Sequence, residues 1–257
     1  MLQKPFVVAN WKMNHGVKHS VEAAADIVVG LKQIPFTGGV VVCPVDTALM
    51  AVQTIVEESP VALGAQDVSW EDTGSFTGEI APWMLREVGV DYVIVGHSER
   101  RKYLNETDEM VNKKTKNALE EGITPIVCVG ESFEQRQEGE QEHVVMRQVQ
   151  KALDGISLGP AHSILFAYEP IWAIGTGQAI DAEEANHMHS VINQILIDHF
   201  PDQIVKENTT ILYGGSADEK NTPGFLEKQH INGFLVGTAS IKSQQFVEVI
   251  KAVHNAT

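Results

Sequence analysis

The sequence has few basic residues, few cysteines and no long apolar run. Lys and Arg number 19 against 34 Asp and Glu, which gives a formal net charge of −15. Because nucleic acids and anionic membranes bind basic surfaces, this balance argues against both as partners. The N-terminal apolar patch is too short for a signal-peptide core, and no apolar run is long enough to span a bilayer. We therefore expect a cytoplasmic protein that holds any anionic substrate at a local site.

The two cysteines, Cys43 and Cys128, lie far apart in separate apolar runs. This arrangement predicts buried reduced thiols rather than a disulfide or a pair of metal ligands. The glycine-bearing segments have neither the spacing of a P-loop nor that of a dinucleotide-binding fingerprint. We therefore expect no metal and no cofactor.

The sequence does contain eight short β-branched runs that alternate with longer segments of helical periodicity. Most runs lack the polar alternation of half-exposed strands, as expected of parallel strands buried on both faces. Such a parallel sheet can be open and doubly wound or closed, and eight units in 257 residues favour a single (β/α)8 barrel domain, the TIM-barrel fold, over residues 1–257. The predicted strands are 6–10, 40–44, 61–65, 92–96, 125–130, 164–169, 210–215 and 233–237. The predicted helices are 18–33, 46–58, 82–88, 106–121, 134–153, 181–199, 219–227 and 244–254.

Polar residues follow the carboxyl ends of these strands, where the chemistry of barrel enzymes is built. Glu169 ends an apolar run at the rim of the predicted core, where removal from water makes a carboxylate a stronger base. A strand-end Glu in a surface ion pair is the alternative. His97 follows the run YVIV, and Ser98 is predicted to cap a helical turn whose positive end favours a neutral imidazole. A packed structural histidine is the alternative for His97.

Lys12 and Asn10 follow the first strand. Together they could set a fixed positive charge and an amide donor beside a substrate oxygen, although a lone lysine is usually a surface residue. His187 and His189 lie two residues apart on a predicted helix, so they share no face and are expected to be exposed. Three loops could present backbone N–H groups to a phosphate, or could be ordinary turns. These loops are 175–177, 214–216 and 237–238.

The segment 170–180 has an apolar tip followed by glycines, between a rigid Pro-Ile-Trp start and a predicted helix. This pattern predicts a lid over the barrel mouth, with a static rim loop as the alternative. The predicted lid residues are Pro170, Ile171, Trp172, Ala173, Ile174, Gly175, Thr176, Gly177, Gln178, Ala179 and Ile180.

The chain resembles the triosephosphate isomerase family over essentially its whole length. The resemblance is carried by six segments in this order: ANWKMN, GSFTGE, GHSERR, CVGE, AYEPIWAIGTG and YGGS. It implies an aldose–ketose isomerase that interconverts dihydroxyacetone phosphate and D-glyceraldehyde 3-phosphate through an enediolate. In that reaction Glu169 would shuttle the proton, His97 would be the neutral electrophile and Lys12 the fixed cation. Asn10 would contact the substrate oxygen, and Glu99 would be a supporting carboxylate.

The resemblance also implies how the substrate and a second subunit are held. The phosphate would bind backbone groups of Gly175, Ser216, Gly237 and Thr238. Trp172 would exchange partners between Tyr168 and Glu131 as the lid closes. A homodimer is implied by the loop 74–79, in which Thr77 would reach the partner's Asn10 and the partner's His97. An ordinary polar loop is the alternative. The predicted interface residues are Thr77, Gln66 and Phe76.

Two positions depart from the family pattern. Thr238 stands where a second glycine is usual, and Gln178-Ala179-Ile180 replaces the common Lys-Thr-Ala at the second hinge. Because the phosphate needs a backbone N–H, we expect Thr238 to retain that role. Two other functions are open: an isomerase of a larger aldose phosphate, and a barrel that binds phosphorylated metabolites without turnover. The apolar tip 172–174 favours a three-carbon substrate, and the set of Lys12, His97 and Glu169 favours an enzyme.

Overall fold

Eight parallel strands form the centre of the computed structural model, which describes residues 2–174 and 180–257. Each strand hydrogen-bonds to the next along the chain, and β8 pairs with β1, so the sheet closes into a barrel and confirms the predicted fold. Phe6, for example, is in register with Gly39 on one side and Gly233 on the other. The strands are β1 (Phe6–Asn10), β2 (Gly39–Cys43), β3 (Val61–Ala65), β4 (Tyr92–Val95), β5 (Thr124–Val129), β6 (Ile164–Tyr168), β7 (Thr209–Tyr213) and β8 (Gly233–Val236).

Helices connect successive strands and surround the barrel. Within the described residues none of them is long and apolar enough to cross a membrane. The α-helices are α1 (Val17–Leu31), α2 (Leu49–Val56), α3 (Pro82–Val88), α4 (Ser98–Leu104), α5 (Asp108–Glu120), α6 (Phe133–Gln137), α7 (Gln141–Leu153), α8 (Ala182–His199), α9 (Asp202–Asn208), α10 (Thr222–Leu226) and α11 (Ser243–Asn255). Short 3₁₀ helices cover Asp46–Ala48, Ile171–Ala173 and Thr238–Ser240.

The apolar core has two layers because successive residues of a strand point to opposite faces. In β1, Phe6 and Val8 belong to the cluster inside the barrel, whereas Val7 and Ala9 belong to the larger cluster between strands and helices. Strands buried on both faces therefore read as continuous apolar runs, which is why the sequence located them.

Both cysteines are free and fully buried in the inner cluster, as predicted. Cys43 ends β2 and Cys128 lies in β5. Burial raises the pKa of both thiols, and for Cys128 the nearby Glu169 carboxylate raises it further. The two side chains are therefore uncharged core residues.

Several helix predictions were wrong in detail. The predicted helix 134–153 is two helices, α6 and α7, because Gly139 has φ of 76°, which a continuous right-handed helix cannot contain. The predicted helix 46–58 is a 3₁₀ turn followed by α2, and α9, which begins after Pro201, lies outside the predicted helices. His187 is exposed as predicted, but His189 is completely buried, so the prediction for it was wrong. The helix turns His189 toward the barrel, where its ring packs edge-on against Tyr168.

Candidate active site

A small cavity lies at the carboxyl ends of the strands. It measures about 40 Å³ and brings together residues that follow five different strands. The predicted residues Asn10, Lys12, His97, Glu169 and Ser216 all line it. The predicted residues Ile174, Gly214, Gly215, Gly237 and Thr238 line it as well, together with Ala217 and Leu235, which were not predicted. Residues at the carboxyl ends of five strands therefore lie together at one cavity, and Glu99, the predicted supporting carboxylate, contacts Lys12 without being among the lining residues.

Glu169 directly follows β6 and is buried, with a relative exposure of 2%. Its Oε1 lies 3.0 Å from Nε2 of His97, and its Oε2 accepts a hydrogen bond of 2.9 Å from the backbone N–H of Ser98. The backbone of Glu169 is packed so closely against Gly130 that a Cβ there would lie 1.7 Å from the Glu169 carbonyl oxygen. These contacts rule out a surface ion pair for Glu169.

His97, not Ser98, caps α4, which corrects the predicted cap. Its Nδ1 accepts a hydrogen bond of 3.2 Å from the backbone N–H of Glu99, and Ser98 is already the first residue of the helix. An imidazole nitrogen that accepts a hydrogen bond carries no proton, so the ring proton is on Nε2. In this network Nδ1 is an acceptor and Nε2 is the ring nitrogen that faces Glu169 Oε1.

Lys12 has a backbone conformation that the sequence did not predict. Its φ is 51°, in the left-handed region that non-glycine residues rarely occupy. The Asn10 Oδ1 accepts from its N–H at 3.1 Å, and the Gln66 side chain donates to its carbonyl at 2.9 Å. The ammonium lies 2.5 Å from Glu99 Oε1. These contacts hold the cation at the cavity rather than in solvent.

The loops after β7 and β8 also line the cavity. Gly237 precedes the 3₁₀ helix that begins at Thr238, and a Cβ at Gly237 would lie 3.5 Å from Cε of Lys12. The Lys12 cation therefore lies beside the glycine-bearing loop after β8, which is an arrangement that suits an anionic group. Thr238 is exposed, so its side chain has space outside the cavity.

The two ends of the predicted lid are described, whereas Gly175, Thr176, Gly177, Gln178 and Ala179 lie outside the described residues. At the first end, Ile171–Ala173 forms the 3₁₀ helix, and Trp172 Nε1 donates to Glu131 Oε1 at 2.9 Å. The Tyr168 hydroxyl donates to the same carboxylate at 3.1 Å. Burial, and then the neighbouring Glu131, raise the pKa of Tyr168, so the phenol remains a donor.

At the second end, Ile180 is buried, with a relative exposure of 5%. Its backbone faces the hydroxyl of Tyr213, at the end of β7. Burial raises the pKa of Tyr213 to about 12, against a smaller opposing effect of the Ile180 backbone. The Tyr213 phenol is therefore also uncharged.

Behind His97 lies a buried charge network that the sequence analysis missed. Glu106 accepts hydrogen bonds from Lys114 at 2.7 Å, from Arg100 at 2.6 Å and from the backbone of Gly96 at 3.0 Å. Asp67 binds the same two cations at 2.7 and 2.6 Å. Charged residues usually face solvent, so nothing in the sequence indicated that these four side chains contact one another in the interior. It fixes the end of β4 beside His97.

The described residues contain no group of three or more His, Cys, Asp or Glu side chains that could hold a metal ion. The predicted interface residues lie in two settings. Thr77 and Phe76 are exposed in the loop after β3. Gln66 instead donates within the chain to the carbonyls of Lys12 and Cys43.

Comparison with known proteins places this architecture in a well-populated family. A family model described as triosephosphate isomerase matches residues 5–253. The triosephosphate isomerase of Dictyoglomus turgidum is 39% identical over 254 residues, which cover 98% of this chain and 100% of the relative. That of Chloroherpeton thalassium is 42% identical over 251 residues, 98% of this chain and 99% of the relative. A crystal structure of triosephosphate isomerase from Bartonella henselae has a TM-score of 0.85 and 31% identity, and covers 96% of this chain and 98% of that one.

Proposed function

The chain belongs to the triosephosphate isomerase family and interconverts dihydroxyacetone phosphate and D-glyceraldehyde 3-phosphate, and we propose that Glu169 is the base of that reaction. Glu169 removes a proton from the carbon beside the substrate carbonyl and returns it to the neighbouring carbon. The intermediate is an enediolate. The observation that carries this assignment is the buried Glu169 carboxylate, whose partners among the described residues are the neutral His97 ring and the Ser98 N–H.

His97 is the electrophile in this proposal. Its Nε2–H donates to Glu169 in the structure and can donate to a substrate oxygen placed between the two side chains. The hydrogen bond from Glu99 N–H to Nδ1 supports this direction of donation, since it leaves the ring proton on Nε2. A preorganised donor of this kind stabilises negative charge as it develops on the oxygen.

Lys12 supplies the fixed positive charge. Its contact with Glu99 and its strained backbone hold the ammonium next to the loop of Gly237. We propose that Asn10 contacts the substrate oxygen, and that backbone N–H groups of Ser216, Gly237 and Thr238 bind the phosphate. The lining of the cavity supports these roles. The predicted phosphate contact of Gly175 lies outside the described residues and stays a prediction.

The described ends of the predicted lid are proposed to shield the reacting atoms. Ile174 lines the cavity beside Glu169, and Ile180 is buried at the other end of the segment. Exclusion of water strengthens the electrostatic interactions within the site and protects a reactive intermediate. The exchange of Trp172 between Glu131 and Tyr168 stays a prediction.

The proposal is tested by assaying the purified chain on D-glyceraldehyde 3-phosphate, with a coupled enzyme that reduces dihydroxyacetone phosphate. We expect turnover by the wild type and a loss of at least roughly 10²-fold in Glu169→Asp, because the shorter side chain withdraws the carboxylate by about 1 Å. Circular dichroism should show the same fold in both. A Glu169→Asp variant with normal turnover would show that another group is the base.

A larger aldose phosphate and binding without turnover are the competing functions. The apolar tip 172–174, whose Ile174 lines the cavity, favours the triose substrate over a pentose or hexose phosphate. The pairing of Glu169 with a neutral donor favours turnover, since binding alone needs no base. Parallel assays with an aldopentose phosphate should therefore give no product. Faster turnover of the larger sugar would contradict this assignment.

We propose that the chain forms a homodimer through apolar side chains exposed after β1, β2 and β3. Met13 is 93% exposed and Met50 73%, and the loop of Phe76 and Thr77 lies between β3 and α3. Exposed apolar side chains of this number on adjacent connections favour burial in an interface. The full set is Met13, Met50, Phe76, Trp83 and Met84.

Light scattering after size-exclusion chromatography tests the dimer. We expect the wild type to be dimeric and Phe76→Asp to be monomeric, because a charge in the apolar surface opposes its burial. Ile197→Asp, at a position on α8 that is 42% exposed, is the matched control and should remain dimeric. A monomeric wild type would reject the proposal.

We also propose a cytoplasmic location. Both cysteines are free and buried, which agrees with a reducing compartment. Fractionation of source cells, followed by activity measurement, tests this location.

A further inference from the structure

The guanidinium of Arg136 contacts three elements at the barrel mouth. Its Nη1 lies 3.1 Å from Glu131 Oε1, after β5, and its Nη2 contacts the carboxylate of Glu184 on α8. Its Cζ lies 4.9 Å from the centroid of the Trp172 ring. The Arg136 side chain is only 17% exposed. None of the six family-like segments includes this residue.

Glu131 depends on Arg136 for charge compensation. The Glu131 side chain is 0% exposed, and its Oε1 receives donors from Tyr168, Trp172 and Arg136. Among residues 2–174 and 180–257, Arg136 is the cation in contact with it. A buried carboxylate that loses its cation is strongly unfavourable. Removing Arg136 would therefore loosen the hydrogen bond by which Glu131 holds Trp172.

Trp172 in turn lies between two residues of the cavity. It is the central residue of the 3₁₀ helix Ile171–Ala173, which follows Glu169 and Pro170 and precedes Ile174. The Ile171 N–H also donates to the carbonyl of Glu131 at 3.2 Å. The position of this short helix therefore determines where the base Glu169 and the apolar side chain of Ile174 lie.

The helix that carries Arg136 and the carboxylate of Glu184 that it contacts both lie at well-defined positions. Ser132 and Gln135 cap the start of α6 with reciprocal hydrogen bonds, which fixes the helix that carries Arg136. Glu184 lies in the first turn of α8, four residues after Ile180. A planar guanidinium can bridge two carboxylates and stack on an indole at the same time, whereas an ammonium cannot.

We propose that Arg136 is a positioning residue of the isomerase: it acts through Trp172 to hold Glu169 at the substrate and Ile174 over the intermediate. This inference rests on the proposed function, in which Glu169 is the base. An enediolate that is poorly shielded can eliminate its phosphate. The electron pair on the enediolate oxygen then forms a carbonyl, and the carbon–carbon double bond shifts toward the carbon that carries the phosphate. The bond between that carbon and the phosphate oxygen breaks, and its electron pair leaves with inorganic phosphate. The enol that remains becomes an α-ketoaldehyde.

The test measures isomerisation and release of inorganic phosphate in the same reaction with D-glyceraldehyde 3-phosphate. We expect Arg136→Met to lower kcat/KM by about 10-fold and to raise phosphate released per isomerisation by about 10-fold, with a melting temperature within a few degrees of wild type. Arg136→Lys should restore part of both values. Because Arg136 acts through Trp172, the double variant with Trp172→Phe should be no worse than the more severe single variant.

Arg147→Met is the matched control, because Arg147 on α7 is 64% exposed and lies 3.8 Å from Asp108. It should behave as wild type. If Arg136→Met does not fold, Glu184→Gln is measured instead, with an expected threefold rise in phosphate release per isomerisation. An unchanged release ratio in the folded variant, or effects that multiply in the double variant, would overturn the inference while the proposed function stood. A wild type without isomerase activity would instead reject the proposed function.

Discussion

Glu169 and Glu106 are both buried glutamates near the carboxyl ends of the strands, but their surroundings differ. Glu106 binds two cations, Lys114 and Arg100. Burial alone would raise the pKa of Glu106, but these cations more than offset burial and lower it. Glu169 contacts neutral N–H donors in the part of the chain that the structure describes. Two cations hold the Glu106 carboxylate in its charged form, whereas no Lys or Arg side chain pairs with Glu169 among residues 2–174 and 180–257.

The charges around Glu106 thus stabilise the fold, whereas the residues around Glu169 surround space for a reacting ligand. Lys114 is 1% exposed and contacts both Glu106 and Asp67, so every member of the network has a partner of opposite charge. At the cavity, Lys12 is paired with the half-exposed Glu99 and faces space for a ligand. The comparison predicts that the two glutamates respond in opposite ways to the same substitution.

The largest expected effect is that of Glu169→Gln on turnover. The amide retains the shape of the side chain but cannot accept a proton, so we expect kcat to fall by about 10³-fold or more. The free energy of unfolding should stay close to that of wild type, because no cation loses its partner. Coupled assays and urea unfolding measure the two quantities. A variant that loses stability as well as turnover would contradict the proposed difference between Glu169 and Glu106.

Glu106→Gln should show the reverse behaviour. Lys114 and Arg100 would lose one of their two carboxylates in a buried site, so we expect the free energy of unfolding to fall by about 3 kcal/mol. The turnover of the folded fraction should change by less than about 10-fold. Urea unfolding followed by fluorescence measures the stability. An unchanged free energy of unfolding would mean that the contacts of Glu106 with Lys114 and Arg100 do not stabilise the fold.

His189 provides a third kind of buried titratable group, one that is kept neutral. Burial lowers its pKa from 6.5 to about 3, although its Nδ1 bonds the carbonyl of His230 at 3.1 Å. Since the folded state then binds fewer protons than the unfolded state, its contribution is present above pH 6.5 and is lost as pH falls toward 3. We expect a loss of about 2 kcal/mol between pH 7 and pH 5.

Urea unfolding at several pH values tests this contribution. In His189→Asn, whose amide can still donate to His230, the decline in stability between pH 7 and pH 5 should be about 2 kcal/mol smaller than in wild type. Other titrating groups are common to both proteins and cancel in the difference. Parallel stability curves would indicate that His189 is not the group responsible.

The smallest expected effect concerns the proton of His97, which a spectrum can locate without changing the protein. The hydrogen bond from Glu99 N–H to Nδ1 leaves the proton on Nε2. Nitrogen-15 NMR at pH 7 should therefore show a neutral ring with the proton on Nε2. His97→Gln identifies the signal. A proton on Nδ1 would exclude the donation to Glu169 that the proposed mechanism uses.

Sequence reasoning located the strands closely and the helices less well. The predicted strand 61–65 coincides with β3, and every other strand lies within two residues of its prediction at each end. Helix ends depended on single backbone angles, such as the positive φ of Gly139, that the apolar pattern does not report. The cap at His97 was missed because an imidazole nitrogen accepted the bond expected of the Ser98 hydroxyl.

The alternating order of elements, the barrel and the residues that follow each strand can be read from the amino-acid pattern, because burial on both faces leaves continuous apolar runs that end at polar corners. Which charges meet depends on how the elements pack in three dimensions. The left-handed Lys12, the four-charge network of Glu106 and the bridge of Arg136 from Glu131 to Glu184 join residues that are distant or unremarkable in the chain. Electrostatic interactions depend on distance in space and on exclusion of water, and the order of residues encodes neither directly.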